Sequence, residues 1–215
     1  MDRIVAVGSV ACTLPLMPAH PPLGNPDRAL SAGLVVGPTV FITAWAVSGA
    51  ITPGYSPIRD HISDLAAVEA TTRSLMNVGF AAFAVSVGAA VIPARRFLGT
   101  PAAVVLGANV LTTVGIALAP LGQSPEGDRA HAVVAGLGYL ALAAMGPSAA
   151  PTLAQRRPRL GRASVAVGAV SIACLGLSLV RPEAGFWQRA GLLATDAWLI
   201  AMGMRAVTGA ARDEG

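Results

Sequence analysis

The densest group of chemically active side chains lies in residues 55–65, which read Tyr-Ser-Pro-Ile-Arg-Asp-His-Ile-Ser-Asp-Leu. Asp60 and Asp64 are four residues apart, so a short helix beginning at residue 56 or 57 places both carboxyl groups on one face. Carboxyl groups beside an imidazole, here that of His61, are side chains that general acid–base catalysis uses. We therefore expect a short amphipathic helix at the outer surface of the membrane, with its acids pointing toward the open end of the helix bundle.

The same acids also have a purely structural explanation. Asp60 can act as a cap, or it can pair with Arg59 or Arg73. Asp64 can pair with Arg129, so that an ion-pair latch holds the first loop without any substrate. Exposed ion pairs of this kind contribute only about 0–1 kcal/mol each. The residue types alone leave both explanations open.

Asp196 is the strongest single candidate for a functional residue, because it lies about eleven residues into the last apolar segment, near the bilayer centre. A charge there costs roughly 2.5–3.5 kcal/mol unless it is paired or hydrated. The residue is therefore either part of a functional site or a neutral acid that hydrogen-bonds a neighbouring helix. A protonated carboxyl group in a water-poor cavity is a suitable proton donor. The predicted catalytic groups are Asp60, Asp64, Asp196 and His61.

Aromatic and polar side chains in the outer half of the molecule are the candidates for substrate binding. Aromatic faces stabilise cations, although Trp and Tyr near a membrane surface also serve as interface anchors. Asn and His within a membrane segment more often join helices than react. The predicted binding residues are Trp45, Tyr55, Arg59, Asn77, Phe80, Asp128, His131, Tyr139, Trp187 and Trp198.

Signatures of soluble enzymes and of metal sites do not appear in the sequence. There is no Walker loop, nucleophile elbow or dinucleotide fingerprint, and no two His residues have metal-ligand spacing. We predict neither a metal nor a cofactor. Cys12 and Cys174 have no metal spacing, and we expect no disulfide between them.

The composition of the chain indicates that most of it lies within a lipid bilayer. Of the 215 residues 54% are hydrophobic and 12% are charged, with a mean hydropathy of +0.64, whereas soluble domains carry roughly twice that charge. The sequence predicts an all-α bundle of six transmembrane helices, because apolar stretches of about 20 residues span the bilayer as helices. We expect a flexible leader over 1–28, a membrane domain over 29–207 and a cytoplasmic tail over 208–215. The spans are 29–51, 72–93, 99–120, 130–151, 161–180 and 185–207.

The distribution of charge predicts the orientation of these helices. All fifteen basic residues are Arg, and those in the second and fourth loops are unaccompanied by acids, whereas the other loops hold almost all the acids. Basic loops stay in the cytoplasm, so both termini are expected there and the chain in the plasma membrane as a multi-pass protein. The net charge of +4 is then a topology signal, and we expect no nucleic-acid partner.

Residues 55–65 also carry a resemblance. The pattern Tyr-x-Pro-x-Arg-Asp-x-Ile-Ser-Asp-Leu is similar to the signature of a bacterial multi-span membrane family known only as a domain of unknown function, DUF998. The matching positions here include Tyr55, Pro57, Arg59, Asp60 and Asp64. Asp128 and His131 also resemble family positions. The resemblance implies a compact six-span fold over about 30–207 and implies no reaction.

Three functions are compatible with these features. The first is a membrane-embedded enzyme that acts on a lipophilic isoprenoid-type substrate by general acid catalysis, most concretely by protonation-initiated cyclisation, in analogy with small membrane-bound terpene cyclases. The second is a lipid or small-molecule binding or transport protein, and the third is a structural membrane subunit. The partners expected are the bilayer and a lipophilic small molecule, and the oligomeric state is not specified by the sequence.

Overall fold

The computed structural model describes residues 23–209, and all the regular secondary structure within them is helical. A 3-10 helix over Ile62–Ala66 lies in the loop that follows α2. The α-helices are α1 (Asn25–Ser31), α2 (Gly33–Ile51), α3 (Arg73–Phe97), α4 (Thr100–Leu118), α5 (Pro125–Arg156), α6 (Pro158–Ser178) and α7 (Ala184–Thr208).

Six helical stretches are long and apolar enough to cross a membrane, which confirms the predicted all-α, six-span architecture. Helices α1 and α2 together form the first span, over residues 25–51. Each observed span overlaps its predicted counterpart and differs at its ends by a few residues. Large apolar side chains such as Val85, Leu111 and Leu118 point outward and are more than 70% exposed, as expected where lipid covers the surface.

The predicted leader and tail fall mostly on residues 1–22 and 210–215, which lie outside the described part. Cys12 lies there as well. The end of the predicted leader differs from expectation, because α1 begins at Asn25. Pro26 stands in the first turn of that helix, where its missing N–H costs no hydrogen bond, so this proline does not prevent helix formation.

The helices form a ring in chain order, and small residues bring neighbouring backbones together. Consecutive spans pack side by side, α7 closes the ring against α2, and α5 also reaches α7. A Cβ atom added at Gly146 of α5 would lie 2.2 Å from the carbonyl oxygen of Ser164 on α6. At Gly168 of α6 it would lie 2.5 Å from the carbonyl oxygen of Ala143. Ser164 and Gly168, four residues apart on α6, therefore form a small face that contacts α5.

The two ends of the bundle differ in charge. We call one the arginine end, defined by Arg28, Arg95, Arg96, Arg156, Arg157, Arg159, Arg162 and Arg205. We call the other the acid end, defined by Asp60, Asp64, Glu69, Glu126, Asp128 and Glu183. The loop after α2, which contains the 3-10 helix, lies at the acid end and covers the interior of the ring.

Candidate functional site

The loop over residues 55–61 caps the first turn of α7 with its own carbonyl groups. The backbone N–H of Phe186 donates to the carbonyl of Ile58 at 2.9 Å, and that of Gly185 donates to Arg59 at 3.3 Å. The first N–H groups of a helix have no partner within the helix, so the loop satisfies donors that would otherwise be unpaired. The loop and α7 therefore form one hydrogen-bonded unit at the acid end.

Arg189 on α7 holds the loop against the helix by hydrogen bonds, and this residue is buried, with only 7% of it exposed. Its Nη1 lies 2.8 Å from the carbonyl oxygen of Pro57, 3.0 Å from that of Asp60 and 2.9 Å from that of Gly185. Nη2 donates to the hydroxyl oxygen of Tyr55. No carboxylate among residues 23–209 lies within ion-pair distance of this guanidinium, so carbonyl dipoles offset the cost of burying its charge.

Two aromatic rings flank the same guanidinium. Arg189 Cζ lies 5.4 Å from the centre of the Trp45 ring and 5.5 Å from that of Tyr55, both within the range of cation–π attraction. The Tyr55 hydroxyl lies 2.9 Å from the carbonyl oxygen of His61, to which it donates. Burial raises the pKa of Tyr55, outweighing the opposite effect of the guanidinium, so the hydroxyl keeps its proton for this bond at neutral pH.

The predicted amphipathic helix over this loop is wrong: residues 56–61 form turns, and only Ile62–Ala66 is helical, as a 3-10 helix. Asp60 Oδ2 accepts from the N–H of Ser56 at 2.6 Å, and Asp64 Oδ2 accepts from the N–H of His61 at 2.9 Å. The two acids thus cap separate turns and share no helix face. An α-helix would need for itself the loop carbonyls that α7 takes, which is why it does not form.

The ion-pair latch, which was the alternative explanation of these acids, is also absent from the described residues. Neither Asp60 nor Asp64 lies within ion-pair distance of a basic side chain there, and Arg129 instead pairs with Glu126 at 2.7 Å. The loop is held by carbonyl and amide contacts to α7, so its attachment depends on Arg189 and not on surface charge pairs.

Beneath the loop, the helices enclose a small cavity between α2, α3, α4, α5 and α7. Its volume is about 60 Å³, room for roughly four water molecules. The apolar wall consists of Phe41, Ile62, Phe80, Phe83, Ile116, Ala135, Gly138, Leu142 and Leu192. The polar lining consists of Ser63, Asn109, Thr112, Thr113, Tyr139, Gln188 and Asp196.

Two buried oxygens in this cavity have no hydrogen-bond partner among the described residues. They are Oδ2 of Asp196 and Oδ1 of Asn109, on side chains that are 2% and 3% exposed. Leaving a buried polar atom unpaired costs about 1–3 kcal/mol. The pair therefore marks a place where a hydrogen-bond donor from a bound molecule would be stabilised.

Gln188 connects the cavity to the loop. Its Oε1 accepts from the N–H of Ile62 at 2.8 Å, and its Nε2 donates to the hydroxyl oxygen of Tyr139. The hydrogen of the Tyr139 hydroxyl has no acceptor in the described part of the chain, so it can be donated to another group. The loop and the cavity wall are thereby linked by one amide side chain.

His131, near the start of α5, joins the loop from the opposite side and is 5% exposed. Its Nδ1 lies 2.7 Å from the carbonyl oxygen of Ala119, and its Nε2 lies 3.0 Å from Oγ of Ser63. Because Ser63 lines the cavity, this predicted binding residue reaches the site through the serine.

The structure brings some of the predicted site residues together and separates others. Asp196, Phe80 and Tyr139 line the cavity. Trp198 donates to Ser164 at 2.9 Å on the α6 side, Asp128 accepts from the N–H of Gly122 at 2.8 Å, and Trp187 packs against Phe186. The predicted residues that do not line the cavity are Trp45, Tyr55, Arg59, Asp60, His61, Asp64, Asn77, Asp128, His131, Trp187 and Trp198.

The sequence did not lead us to predict three of the residues that organise the site. Gln188 and Arg189 lie inside a segment chosen for its hydropathy, and two adjacent polar side chains in such a segment are themselves a signal of function. Ser63 was quoted only as part of a pattern. Its contact with His131, 68 residues away, depends on the fold and has no local signal.

The helices and the cavity define this chain as a six-span α-helical membrane protein with a polar site inside the bundle. A family model described as "Protein of unknown function (DUF998)" matches residues 35–205, and the chain belongs to this family. The matched region contains Arg189 and every residue that lines the cavity. A search of curated proteins and a search of solved structures each find no match.

Proposed function

We propose that this protein is a membrane-embedded enzyme whose lipophilic substrate carries a hydrogen-bonding group and binds in the cavity of the bundle. The observation that carries the proposal is the combination of an aromatic wall with the unpaired Asp196 Oδ2 and Asn109 Oδ1. The apolar wall suits a hydrocarbon chain, and the two oxygens suit a hydroxyl or amine.

Asp196 is the acid of this proposed site. It lies eight residues beyond Gln188 on α7, which places it about 12 Å deeper in the bundle. No basic side chain forms an ion pair with it among residues 23–209, so a proton on the carboxyl group avoids a buried charge. Such an acid can donate a hydrogen bond or a proton to a substrate.

We place the entry of the substrate at the side of the cavity, between α4 and α5. Thr113 and Ile116 on α4 and Tyr139 on α5 line the cavity and keep partial exposure. These residues support entry between α4 and α5 from the lipid phase. At about 60 Å³ the cavity is far below the 300–1,000 Å³ typical of ligand sites, so the helices or the loop over 55–66 must move to admit a chain.

Protonation-initiated cyclisation of a prenyl chain is the second candidate. The observation in its favour is that Asp196 shares the cavity with three phenylalanines. The ring of Phe41 contacts those of Phe80 and Phe83, with centres 5.5 Å and 5.9 Å apart. Aromatic faces stabilise carbocations by the same attraction that binds cations. This candidate requires the greatest expansion of the cavity.

We also propose that the chain lies in the plasma membrane with the arginine end facing the cytoplasm, which places both termini inside. The support is the concentration of eight arginines at that end, since basic loops are retained on the cytoplasmic side.

The first test is photolabelling with a diazirine analogue of farnesol on protein purified in detergent. We expect labelling of peptides from α4, α5 and α7 that excess farnesol suppresses. Asp196→Leu should lower specific labelling by about tenfold, because one hydrogen bond to the probe is lost. Asp64→Asn is the matched control and should change nothing, because that exposed acid lies outside the cavity.

Labelling spread over the lipid-facing surface and unchanged by Asp196→Leu would overturn the binding proposal and favour a structural subunit. The second candidate has its own readout, because farnesol incubated with the protein should yield an isomer of equal mass. General acid catalysis contributes about 10²–10⁴-fold, so Asp196→Asn should abolish most of that product. Specific labelling without any isomer removes cyclisation and leaves the first proposal in place.

A further inference from the structure

A serine and a histidine from distant parts of the chain meet at the edge of the cavity. Ser63 Oγ lies 3.0 Å from His131 Nε2, and His131 Nδ1 lies 2.7 Å from the carbonyl oxygen of Ala119. A carbonyl oxygen only accepts, so Nδ1 carries the hydrogen of the neutral ring. Nε2 is then a lone-pair acceptor, and the hydroxyl of Ser63 donates to it.

This arrangement has the three parts that an activated nucleophile requires. The hydroxyl lies within hydrogen-bond reach of a base, and a third group fixes the tautomer and orientation of that base. In Ser-His-Asp enzymes the third group is a carboxylate, whereas here the carbonyl of Ala119 takes that position. Ser63 also lines the cavity, so a molecule bound there lies next to this residue.

The cavity also provides a donor for the charge that nucleophilic attack creates. The Tyr139 hydroxyl lines the same cavity and accepts from Gln188 Nε2, whose Oε1 accepts from the N–H of Ile62 beside the serine. The phenolic hydrogen is free of any acceptor in the described residues. A hydroxyl held in this way can donate to a developing oxyanion.

We infer that Ser63 is the nucleophile and His131 the general base of an esterase site whose substrate is an ester of a lipophilic acid. The inference rests on the proposed function, since the acyl chain must enter the cavity, and it names the substrate class of that site. The aromatic wall then holds the acyl chain.

The reaction consumes one water molecule and releases an acid and an alcohol. Ser63 Oγ bonds to the ester carbonyl carbon while its proton passes to His131 Nε2, and the carbonyl oxygen becomes the oxyanion. Collapse of this intermediate breaks the bond to the leaving oxygen, which takes the proton from His131 and departs as the alcohol. Water then attacks the acyl-serine and gives a proton to His131, and Ser63 recovers that proton as the carboxylic acid leaves.

A long-chain alkyl fluorophosphonate tests this chemistry directly, because it phosphonylates activated serines. We expect the purified full chain to be labelled, with the added mass on the peptide that contains Ser63. Ser63→Ala should abolish labelling. His131→Asn retains a donor for Ala119 and removes the base, so it should slow labelling by about 10²–10⁴-fold. Ser74→Ala, at an exposed serine near the same end of the bundle, should label at the wild-type rate.

Each variant is compared only if it elutes as a single symmetric peak in detergent. The location of the added mass in the wild-type protein needs no variant, so the inference can fail even if the substitutions disturb folding. Wild-type protein that binds the farnesol analogue but takes no fluorophosphonate on Ser63 overturns the esterase inference alone. Protein that shows neither specific photolabelling nor phosphonylation overturns the proposed function as well.

Discussion

The guanidinium group of Arg189 determines the shape of the acid-end loop. It lies within hydrogen-bond distance of two carbonyl oxygens of the loop and donates to the hydroxyl of Tyr55, although it belongs to a helix more than 120 residues away in sequence. A buried cation without a carboxylate partner in the described chain is stable only while those carbonyls remain in place. The arginine and the loop therefore support each other.

Replacement of Arg189 by Met tests this dependence. The apolar side chain leaves the carbonyls of Pro57 and Asp60 without their donor, which costs about 1–3 kcal/mol. We expect hydrogen exchange of the amides in residues 55–66 to accelerate by roughly 5–150-fold, the factor that this free energy represents. Arg181→Met, at an exposed site whose partner is Glu183 at 3.7 Å, should leave exchange of that loop unchanged.

Unaltered protection of the loop in Arg189→Met would show that the carbonyl contacts to α7 hold it without the guanidinium. In that case the loop would be held by the backbone hydrogen bonds of Gly185 and Phe186 and by the side chain of Gln188.

At this scale the sequence predicted which loop matters but not how it works. Asp60 and Asp64 attract attention because they are charged, yet each binds a backbone N–H within four residues. Such local caps compete with helix formation, and spacing alone does not reveal which of the two prevails. The contacts of Arg189 and Ser63 are made across the fold, so local patterns do not encode them.

Elements were more predictable than side-chain contacts. Unpaired backbone N–H and C=O groups are costly in hydrocarbon, and a helix pairs them within one segment. An apolar stretch of about 20 residues in a membrane therefore forms a helix. Hydropathy therefore located all six spans. It could not locate the closest helix contacts, because those depend on which small residues face one another after packing.

The contact between α5 and α6 gives a prediction with an internal control. Gly146→Ala places a methyl group 2.2 Å from the carbonyl oxygen of Ser164, so the two helices must separate. We expect a loss of about 1–3 kcal/mol, as for other overpacked sites, seen as a lower midpoint of thermal unfolding in detergent. Gly136→Ala on the same helix meets nothing within 4 Å and should leave the midpoint unchanged or slightly raised, since Ala favours helix. Equal midpoints for the two variants would show that α5 and α6 are not in tight backbone contact.

For the whole molecule, the polar interior is concentrated toward one end. Ser63, Gln188 and His131 lie at or just beneath the acid-end loop, and Asp196, the acid that lines the cavity, lies deeper in the bundle. The sequence predicted the division into two ends from its arginines and acids. It did not predict the small volume of the cavity, because volume depends on how aromatic side chains fill the space between five helices.

The orientation of these two ends in the membrane is the last prediction. In a variant with Cys12 and Cys174 replaced by Ser, single cysteines are introduced at Gln123 and Pro182, exposed at the acid end, and at Arg159, exposed at the arginine end. A membrane-impermeant maleimide added to intact cells should label positions 123 and 182 and reach position 159 only after the membrane is opened. Basic loops are retained in the cytoplasm, so eight arginines at one end favour this outcome. Labelling of position 159 alone in intact cells would invert the protein and place the proposed Ser63 site on the cytoplasmic side.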